Sequence, residues 1–359
     1  MKRSWISLFF LLPLVPLLGQ ELIFEKTGGA TQRISLSTLG SIRFAELDTL
    51  SNAALSIHTV TGIRHFRLSE IDSLDMKDNT DLLIYRAGSA GRIRRADIDK
   101  MAISPVTLPD RSADARNGSQ FMQDILDMNF SQREPLILQE FLGGNIPDFS
   151  REFITCSSDF KDADGITHRV EYDVMSDYLS IGSNEDYCRV PMGPKSAQEI
   201  ADAYGCILST RKLCDDIWKH ATVRLSPIPY APVGDNNSQV YKFVEHNTDI
   251  NAARADAGGG IFALIAGIKK DVVICNAIIS KPNNVAIYGW HYPDGNPIQP
   301  LYTGHVDYYV DYSHGIRLIN AIVRVDGVPL NAHDILQDPL LYKLLSDESG
   351  AMQQTRYLY

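Results

Sequence analysis

The chain of 359 residues has little basic charge and, after its first 20 residues, no long hydrophobic run. A membrane-spanning helix needs about 20 consecutive apolar residues, and no later stretch of the sequence reaches that length. The formal net charge is −10 at pH 7, and an acidic chain is repelled by nucleic-acid phosphates and anionic lipids. The composition therefore predicts no nucleic-acid partner and, once residues 1–20 are removed, no transmembrane segment.

Cysteine is scarce and odd in number. With five cysteines at least one stays unpaired, and their density is far below that of a disulfide-stapled scaffold. Cys206 and Cys214 belong to two adjacent predicted helices and could pair with each other. Isolated buried thiols are the alternative.

Several catalytic signatures are missing. The sequence contains no HExxH and no short His-x-His pattern of the kind found in zinc hydrolases. It also contains no GxSxG nucleophile elbow. The three glycines at 258–260 open no phosphate loop, because no Lys-Ser/Thr pair follows them.

Residues 1–20, MKRSWISLFFLLPLVPLLGQ, have the layout of a secretory signal peptide. Lys2 and Arg3 form a positive start, an apolar run follows, and Gly19 supplies a small residue before a cleavage point. No cysteine stands near that point, which argues against a lipoprotein anchor. We therefore expect an exported protein that is periplasmic, at the cell surface or secreted.

Residues 21–104 contain an internal repeat whose three copies begin at Leu22, Leu55 and Leu82. Each copy has a strand-like run, a Gly-containing turn, a second such run, a polar link and a third brief apolar run. The pattern predicts a small all-β hairpin domain whose units bury apolar strands by stacking on their neighbours. The polar links, each of which suits one capped helical turn, are Ser37-Thr38, Ser69-Glu70 and Ala96-Asp97.

The second copy, which contains FRLSEIDSLDM, resembles short repeats at the N-termini of exported Bacteroidetes proteins. The resemblance covers residues 21–104 and implies an envelope or surface location without catalysis. The repeat units also lack a catalytic constellation. We therefore expect this domain to be a spacer or docking module.

The polar, Pro-containing segment 105–119 is the predicted linker. It leads into a domain over residues 120–345, which carries any catalytic or binding function, and residues 346–359 form a C-terminal tail. Helices are predicted over 121–130 with Ser119 as the cap, over 196–204 with a Ser196/Glu199 capping box, over 210–218 and over 247–257.

Strand signals dominate after Gly260. Apolar, β-branched runs cover 261–268, 272–279 and 285–288, and hairpin turns stand at Asp164-Gly165, Asp294-Gly295 and Asp326-Gly327. The predicted fold class is α+β, with the helices first and an antiparallel sheet at the C-terminal end.

Residues 288–317, YGWHYPDGNPIQPLYTGHVDYYVDYSHGIR, hold the densest concentration of chemically active side chains. Polar and apolar residues alternate strictly from His305 to His314, which predicts a strand. At about 3.3 Å per residue, His305 and Ser313 would then lie about 26 Å apart. Either the segment bends, or only its C-terminal end forms the site. We favour the end, because Gly315 relaxes the chain there.

The predicted catalytic residues are therefore His314 as acid/base, Asp311, Ser313 and His291. Arg317, which lies between apolar residues after a glycine turn, is expected to anchor a ligand and to pair with Asp311.

Two other chemistries stay open. Zinc could be held by three histidines, because these residue types fit a hydrolase site with three ligands. That set would be His291, His305 and His314 with Asp307 or Asp311, whereas positions facing solvent on an edge strand are the alternative for His305 and Asp307. 

A nucleophile could be Ser313 or Cys275 with a histidine base. Ser313 and His314 would point apart on an extended strand, although a turn would loosen this objection. Cys275 lies in the apolar run VVICNAII, where a structural thiol is expected.

Residues 313–318, SHGIRL, resemble the SHGCxR box of L,D-transpeptidases, which cross-link peptidoglycan through a cysteine nucleophile. Upstream, IYGWH at 287–291 is loosely similar to the His-Gly strand of that family. The position of the nucleophilic cysteine is Ile316 in this chain. We therefore do not transfer the transpeptidase activity.

Candidate ligand contacts surround the same segment. Lys269 and Lys270, with His246, could bind an anionic or carboxylate group, whereas a solvated turn is the alternative for the two lysines. Tyrosine and tryptophan combine an apolar face with a hydrogen-bonding tip, which suits a sugar or a peptide. The predicted substrate-binding residues are Arg317, Trp290, Tyr292, Tyr302, Lys270 and His246.

Two functions are consistent with the sequence. The first is an exported envelope hydrolase or transferase that acts on peptidoglycan or another cell-surface polymer. The second is a non-catalytic surface protein that binds glycan or peptide through the aromatic-rich region. The cofactor is unknown from the sequence, and zinc is one possibility.

Overall fold

The computed structural model describes residues 108–359 continuously and, within residues 21–104, the backbone of nine strands. The chain divides into two compact units, Met1–Leu108 and Pro109–Tyr359. This boundary falls inside the segment predicted as the linker. The predicted signal peptide and the three predicted helical turns at the polar links lie outside the described residues.

The first unit is built from antiparallel strands, three from each sequence repeat. A hairpin and a third strand form in every copy, in the order that the apolar runs and glycine turns predict. The strands are β1 (Glu21–Glu25), β2 (Thr31–Ser35), β3 (Ser41–Ile42), β4 (Ala54–Thr59), β5 (Gly62–Arg67), β6 (Ile71–Asp75), β7 (Asp81–Arg86), β8 (Ser89–Arg94) and β9 (Ile98–Ser104).

The repeats complete one another's sheets. The β7–β8 hairpin of the third copy pairs with β6 of the second copy, which pairs with β3 of the first. In return, β9 of the third copy pairs with β4 in the β4–β5 hairpin of the second. Leu74, Leu82 and Ile84 are buried along these strands. Each copy therefore buries its apolar residues through its neighbours, as stacked repeats do.

The second unit contains six helices. In α3 (Pro194–Ala203), the buried residues Ala197, Ile200 and Ala201, continued by Tyr204 at the helix end, follow the helical spacing of a single apolar face. Among the described residues, no helix is long and apolar enough to cross a bilayer. The helices are α1 (Gly118–Asp124), α2 (Phe130–Leu142), α3 (Pro194–Ala203), α4 (Arg211–His220), α5 (Val240–Asp256) and α6 (Ala332–Gln337).

Three predicted helix starts are wrong, the third being that of α5, which begins at Val240 and not at 247. α1 begins after Asn117, which forms a capping box with Gln120, so Ser119 is not the cap. α3 begins after Gly193 with Pro194 at its first position, so Ser196 lies inside the first turn. Proline suits that position because its fixed backbone angle is already helical and no N–H bond is lost.

The main sheet of the second unit joins strands from its two ends. Strands β10 and β11 form a long hairpin, β11 pairs with β21 and β22, β21 pairs with β14, and β22 forms a hairpin with β23. These strands are β10 (Phe153–Lys161), β11 (Thr167–Met175), β14 (Cys206–Leu208), β21 (Leu318–Asn320), β22 (Ile322–Val325) and β23 (Val328–Asn331).

A second sheet of four strands has the order β19–β18–β17–β20, and its β17 and β20 run parallel. The strands are β17 (Lys270–Val272), β18 (Ile287–His291), β19 (Pro297–Tyr302) and β20 (His314–Gly315). Two further pairs are β12 (Ser180–Gly182) with β13 (Tyr187–Arg189) and β15 (Val223–Arg224) with β16 (Ile265–Ala266).

The predicted α+β fold class is confirmed by this mixture of helices and mostly antiparallel strands. The three predicted hairpin turns also form, between β10 and β11, between β18 and β19, and between β22 and β23. At the last of these, Asp326 and Gly327 have φ angles of 52° and 83°. Two successive positive φ angles fit the turn type that matches the twist of a hairpin.

Residues 346–359, predicted as a tail, pack into the second unit. The side chain of Tyr357 is buried. Its hydroxyl donates to the carbonyl of Val273 at 2.7 Å and accepts from the amide of Ala286 at 3.0 Å. The end of the chain therefore supports the backbone next to β17 and β18.

All five cysteines are buried and free. Cys206 lies on β14 and Cys214 on α4, so the two do not occupy adjacent helices as the sequence predicted, and they form no disulfide. The alternative of isolated buried thiols describes them.

Gly315 has no room for a side chain, and this gives a direct test of the packing around β20. A Cβ at this position would lie 2.5 Å from Cδ1 of Tyr178 and 2.7 Å from Cβ of Lys269. We expect Gly315→Ala to lower the free energy of unfolding by about 3 kcal/mol, because overpacking forces neighbours apart. Urea denaturation measures the change. Gly260→Ala is the control, since a Cβ there meets nothing within 4 Å; equal losses in both variants would contradict the packing.

Candidate functional site

The segment predicted as a strand from His305 to His314 is an irregular loop, and only its last residue enters β20. That prediction is wrong for a local reason. The carboxylate of Asp311 accepts from the backbone N–H of Ser313 at 2.7 Å. Such an aspartate turn satisfies the backbone within the loop and competes with pairing to a neighbouring strand. The segment therefore bends, which is the alternative that the sequence left open.

The bend brings His305 to the end of the segment that carries His314. His305 stacks on Tyr309, with ring centroids 4.2 Å apart, and meets the ring of Tyr302 edge-on at 5.0 Å. The ring of His314 also packs on Tyr309, edge-on, with the ring centroids 6.0 Å apart. Two histidines that an extended strand would separate are thus packed against one tyrosine.

Asp311 is the charged centre of this cluster and is 5% exposed. It accepts from the Ser313 hydroxyl at 2.5 Å, and its other oxygen lies 3.4 Å from the Tyr309 hydroxyl. Burial opposes ionisation, but His314, Lys270 and the Ser313 hydrogen bonds outweigh it and hold the pKa of Asp311 below its usual range. Asp311 is therefore a carboxylate at neutral pH.

His314 is 1% exposed, and neither of its ring nitrogens has a hydrogen-bond partner. Its Nε2 lies 3.9 Å from Oδ2 of Asp311, close enough for attraction and too far for a hydrogen bond. Burial lowers the pKa of His314 to about 4 against the opposing influence of Asp311, and Lys270 contributes to the lowering. The imidazole is therefore neutral at pH 7 and able to accept a proton.

Lys270 stands next to His314 across the parallel pair of β17 and β20. Its half-buried ammonium lies 5.3 Å from the centroid of the Trp290 ring. Trp290 itself is buried and has a φ angle of 58°, beside an irregularity in the β18–β19 register. A non-glycine residue held in this region is strained, and such strain is concentrated at functional sites. Trp290 is therefore a buried packing partner of Lys270. It is not exposed, as the predicted contact with a ligand would require.

Lys269 and His246 are both fully buried, and the ring of His246 packs edge-on against that of Trp290. The Lys269 ammonium donates to the carbonyl of Tyr312 and lies 3.1 Å from Nδ1 of His246. Burial lowers the pKa of Lys269 to about 7, and burial together with Lys269 holds the pKa of His246 far below its usual value. His246 is enclosed by the rings of Tyr230, Trp290 and Tyr312. It is therefore a packing residue, and the prediction that it contacts a ligand is wrong.

His291, predicted to join the same site, has a different partner. Its Nε2 lies 2.7 Å from Oδ1 of Asp215 on α4, and the Tyr288 hydroxyl donates to the same oxygen at 2.9 Å. The structure therefore forms a separate His291–Asp215–Tyr288 cluster. Asp215 was not identified from the sequence, because a charged residue on a predicted helix normally faces solvent.

Arg317 is a structural residue in the second unit. Its guanidinium donates to the carbonyls of Met175, Ser176 and Ile265 at 2.9, 3.2 and 2.6 Å, and it lies 4.2 Å from the Tyr178 ring centroid. At 1% exposure it ties the segment between β20 and β21 to β11 and β16. The expected ion pair between Arg317 and Asp311 does not form. The N–H donors of Arg317 that would bind a ligand are used by these backbone carbonyls.

The remaining candidates differ in their access to solvent. Tyr292 and Tyr302 are each 45% exposed, so both remain available to a ligand, and Tyr302 borders His305. Cys275 and Ile316 are buried. Burial raises the pKa of Cys275, which disfavours its reactive thiolate.

The three histidines of the zinc hypothesis do not form one ligand set, because His291 is bound to Asp215. Within the part of the chain that the structure describes, no group of three His, Cys, Asp or Glu side chains is placed to hold a metal ion.

The sequence missed His305 and Tyr309 as members of the site. Both were expected on an edge strand, His305 at its distant end. The one available signal was the Asp-x-Ser spacing at 311–313, which is typical of a local turn.

Comparison of the chain with protein-family models, with curated proteins and with solved structures finds no match. The cluster of His305, Tyr309, Asp311, Ser313 and His314, which we call the histidine site, must therefore be interpreted from its own geometry.

Lys269 gives a prediction about stability and pH. Its pKa is about 7 in the folded chain and 10.5 ordinarily, so between these values the folded chain binds fewer protons than the unfolded chain. Stability therefore rises with pH across this window, and the full penalty is present below pH 7. We expect Lys269→Met to gain about 3 kcal/mol more over wild type at about pH 6 than at about pH 9.5.

Urea denaturation of both proteins at the two pH values measures this difference. Lys343→Met, at an exposed lysine, should show the same offset from wild type at both. A pH-independent offset for Lys269→Met would mean that the Lys269 ammonium is not destabilised by burial.

Proposed function

We propose that the second unit is an acid–base enzyme of the cell envelope, a hydrolase or transferase that acts on peptidoglycan or another cell-surface polymer. The observation that carries this proposal is His314, a buried imidazole with two unpaired nitrogens beside an ionised aspartate. Unpaired buried polar atoms are rare, and a catalytic role is one of the few explanations for them. A buried titratable group whose pKa is shifted by burial and by a nearby charge is typical of active sites.

The chemistry assigned to His314 is general-base catalysis. Because the ring is neutral at pH 7, it can take a proton from a water molecule or from a substrate hydroxyl. The negative charge of Asp311, 3.9 Å away, then stabilises the imidazolium that forms. Lys270, half-buried beside His314, supplies a positive charge for an anionic group on the substrate or for the charge that develops in the transition state.

Ser313 does not fit the role of nucleophile. Its hydroxyl donates to Asp311 and is therefore not directed at His314. Ile316, which stands where the SHGCxR box has its cysteine, is a buried apolar residue. The nucleophile that suits this site is consequently water, which gives a hydrolase, or a hydroxyl of a second substrate, which gives a transferase.

The envelope location is supported by the sequence. The layout of residues 1–20 resembles a signal peptide, and the N-terminal repeats resemble those of exported Bacteroidetes proteins. An exported acid–base enzyme meets polymers with glycosidic and amide bonds at the cell surface, which is why we place the substrate there.

A non-catalytic function in glycan or peptide binding is the second candidate. It is favoured by the exposed rings of Tyr292 and Tyr302 and by the contact of Tyr302 with His305. Such rings offer an apolar face and a polar tip to a sugar or peptide. In this case the histidines would only support the binding surface.

Incubation with soluble peptidoglycan fragments tests the enzymatic proposal. We expect the wild-type protein to change the fragment profile and His314→Ala to lose at least about 10²-fold in rate, because the variant lacks the base. Products are separated and quantified by liquid chromatography with mass spectrometry. His220→Gln, a change at an exposed histidine at the end of α4, should keep the wild-type rate. Identical profiles for wild type and His314→Ala would contradict the catalytic role.

Co-sedimentation with insoluble peptidoglycan separates the two candidate functions. The binding function predicts sedimentation without product formation. Tyr302→Ala should weaken it by about 1–2 kcal/mol in binding free energy, because the apolar face of the ring is lost, and His314→Ala should leave it unaffected. Tyr359→Ala, at an exposed tyrosine of the C-terminus, is the matched control. Turnover by the wild type that depends on His314 would rule out a purely binding role.

A further inference from the structure

A pocket opens in the second unit between α1, the β12–β13 hairpin and α5, and the proposed function does not use it. Its volume is about 470 Å³, which lies within the range of small-molecule sites, about 300–1,000 Å³. Its lining residues, all within 119–251, are separate from those of the histidine site. The pocket is therefore a second concave surface of this unit, and its walls indicate what it can hold.

Hydrogen bonds hold the three walls of the pocket together. The backbone carbonyl of Asp186, just before β13, accepts from the N–H of Gly118 at 2.9 Å, and the Asp186 carboxylate accepts from the N–H of Ser119 at 2.8 Å. These bonds join α1 to the hairpin. On the opposite side, Nδ2 of Asn247 on α5 donates to the carbonyl of Tyr187 at 2.9 Å. Because the walls are tied to one another, little ordering is needed when a ligand binds.

One face of α5 is open to this pocket. Residues spaced three and four apart lie on the same side of a helix, and those that line the pocket include Tyr241, Val244, Thr248 and Asn251. Tyr241 is 44% exposed and Val244 is 38% exposed, whereas the opposite face of the helix is buried. An aromatic ring and a branched apolar side chain are therefore left exposed in a concave surface.

The side-chain amide of Asn251 has a fixed orientation in this pocket. Its Oδ1 accepts from Nη1 of Arg189 at 2.8 Å and from the hydroxyl of Tyr187 at 3.0 Å. Because a guanidinium only donates, the oxygen is the end of the amide that faces Arg189, and Nδ2 projects away from it. Within residues 108–359, neither N–H of this Nδ2 has a hydrogen-bond partner. These donors are therefore free for an oxygen atom of a ligand.

Arg189, which orients Asn251, is itself held in place by Asp177. Its Nε and Nη2 donate to the two carboxylate oxygens of Asp177 at 2.8 and 2.7 Å, and both side chains are buried. A bidentate pair of this kind fixes geometry as well as charge. The free donors of Asn251 are thus supported by a rigid set of buried groups, as a specific binding site requires.

The charges around the pocket indicate the class of ligand. Of the residues that the structure describes, no lysine, arginine or histidine lines the pocket, whereas Glu185 and Asp186 do. The carboxylate of Asp186 is used to hold α1. That of Glu185, an exposed residue, has no hydrogen-bond partner in the described part of the chain. The Lys242 ammonium lies 5.5 Å from the centroid of the Tyr241 ring, but it is paired with a glutamate of the same helix. An anionic ligand would therefore be repelled and find no cation to bind.

We propose that this pocket binds an uncharged sugar unit of a glycan strand. A sugar hydroxyl both donates and accepts hydrogen bonds, so it suits the Glu185 carboxylate and the Asn251 amide together. The apolar face of a sugar ring suits the exposed ring of Tyr241. This inference goes beyond the proposed function and does not depend on His314.

Isothermal titration calorimetry of the full chain with a soluble, uncharged oligomer of N-acetylglucosamine tests the pocket. We expect Tyr241→Ala to weaken binding by about 10-fold, because the apolar face of the ring is lost. Asn251→Asp should also weaken it by about 10-fold, because the free N–H donors are lost while an oxygen still accepts from Arg189 and preserves the fold.

Two control variants make the same changes outside the pocket. Asn283→Asp, at an exposed asparagine, and Tyr359→Ala, at an exposed tyrosine, should bind the oligomer as the wild type does. Absence of binding to the wild type would overturn the proposal, and so would equal binding by the wild type, Tyr241→Ala and Asn251→Asp.

Nitrogen-15 NMR spectra of the full chain locate the bound sugar. The side-chain amide signals of Asn251 are assigned by their loss from the spectrum of Asn251→Asp. Adding the oligomer should shift these signals in the wild type, because the amide donates to the ligand. Asn251 signals that stay in place while the oligomer is bound would mean that the sugar occupies another surface.

A basic peptide is the competing ligand, because Glu185 is acidic. A soluble lysine–alanine peptide, titrated under the same conditions, should bind more weakly than the oligomer. Tighter binding of this peptide, lost in Glu185→Gln, would overturn the assignment of the pocket to a glycan.

Discussion

The hydrogen bonds that Asp311 accepts from Ser313 are the interaction on which the histidine site depends. The bond to the backbone N–H turns the chain just before β20, and the bond to the hydroxyl helps to keep the carboxylate ionised despite its burial. A backbone turn from Val306 to Tyr309, closed by the bond from the Tyr309 N–H to the Val306 carbonyl, completes the bend. A fully extended strand would place His305 far from His314. The same carboxylate is the negative charge beside the neutral ring of His314.

The surroundings of this turn contain an unusual amount of buried charge. Arg317 is accommodated because three backbone carbonyls accept its hydrogen bonds, whereas Lys269 has only a carbonyl and a neutral imidazole. Burying a cation without a carboxylate partner is destabilising. Proteins retain such arrangements mainly where function requires them. Here the Lys269 ammonium donates to the carbonyl of Tyr312 and lies 3.1 Å from Nδ1 of His246, whose ring packs edge-on against those of Trp290 and Tyr312.

Much of the fold follows from local sequence signals, and the site follows from them only in part. The glycine turns at Asp164-Gly165, Asp294-Gly295 and Asp326-Gly327 could be predicted because they impose backbone angles that few other residues adopt. The helix pair α3 and α4 could be predicted from its apolar spacing. Asp311, Ser313 and His314 could be placed together because they are close in sequence. The partner of His291 could not, because Asp215 comes from a helix 76 residues away.

The sequence by itself determined the repeat hairpins, the α+β class and the grouping of Asp311, Ser313 and His314, since these depend on residue type and short-range spacing. The tertiary structure decided which residues meet. It packed His305 and His314 on Tyr309 and placed His291 within hydrogen-bonding distance of Asp215. It also surrounded the guanidinium of Arg317 with three backbone carbonyls. The physical reason is that strict alternation describes a strand only where a neighbouring strand offers hydrogen bonds. Here a neighbouring segment offers hydrogen bonds only around Val306, which forms a single bridge with Asn284. Beyond that point the chain turns back on itself, through the bond from the Tyr309 N–H to the Val306 carbonyl and through the bonds that Asp311 accepts, so a loop forms instead.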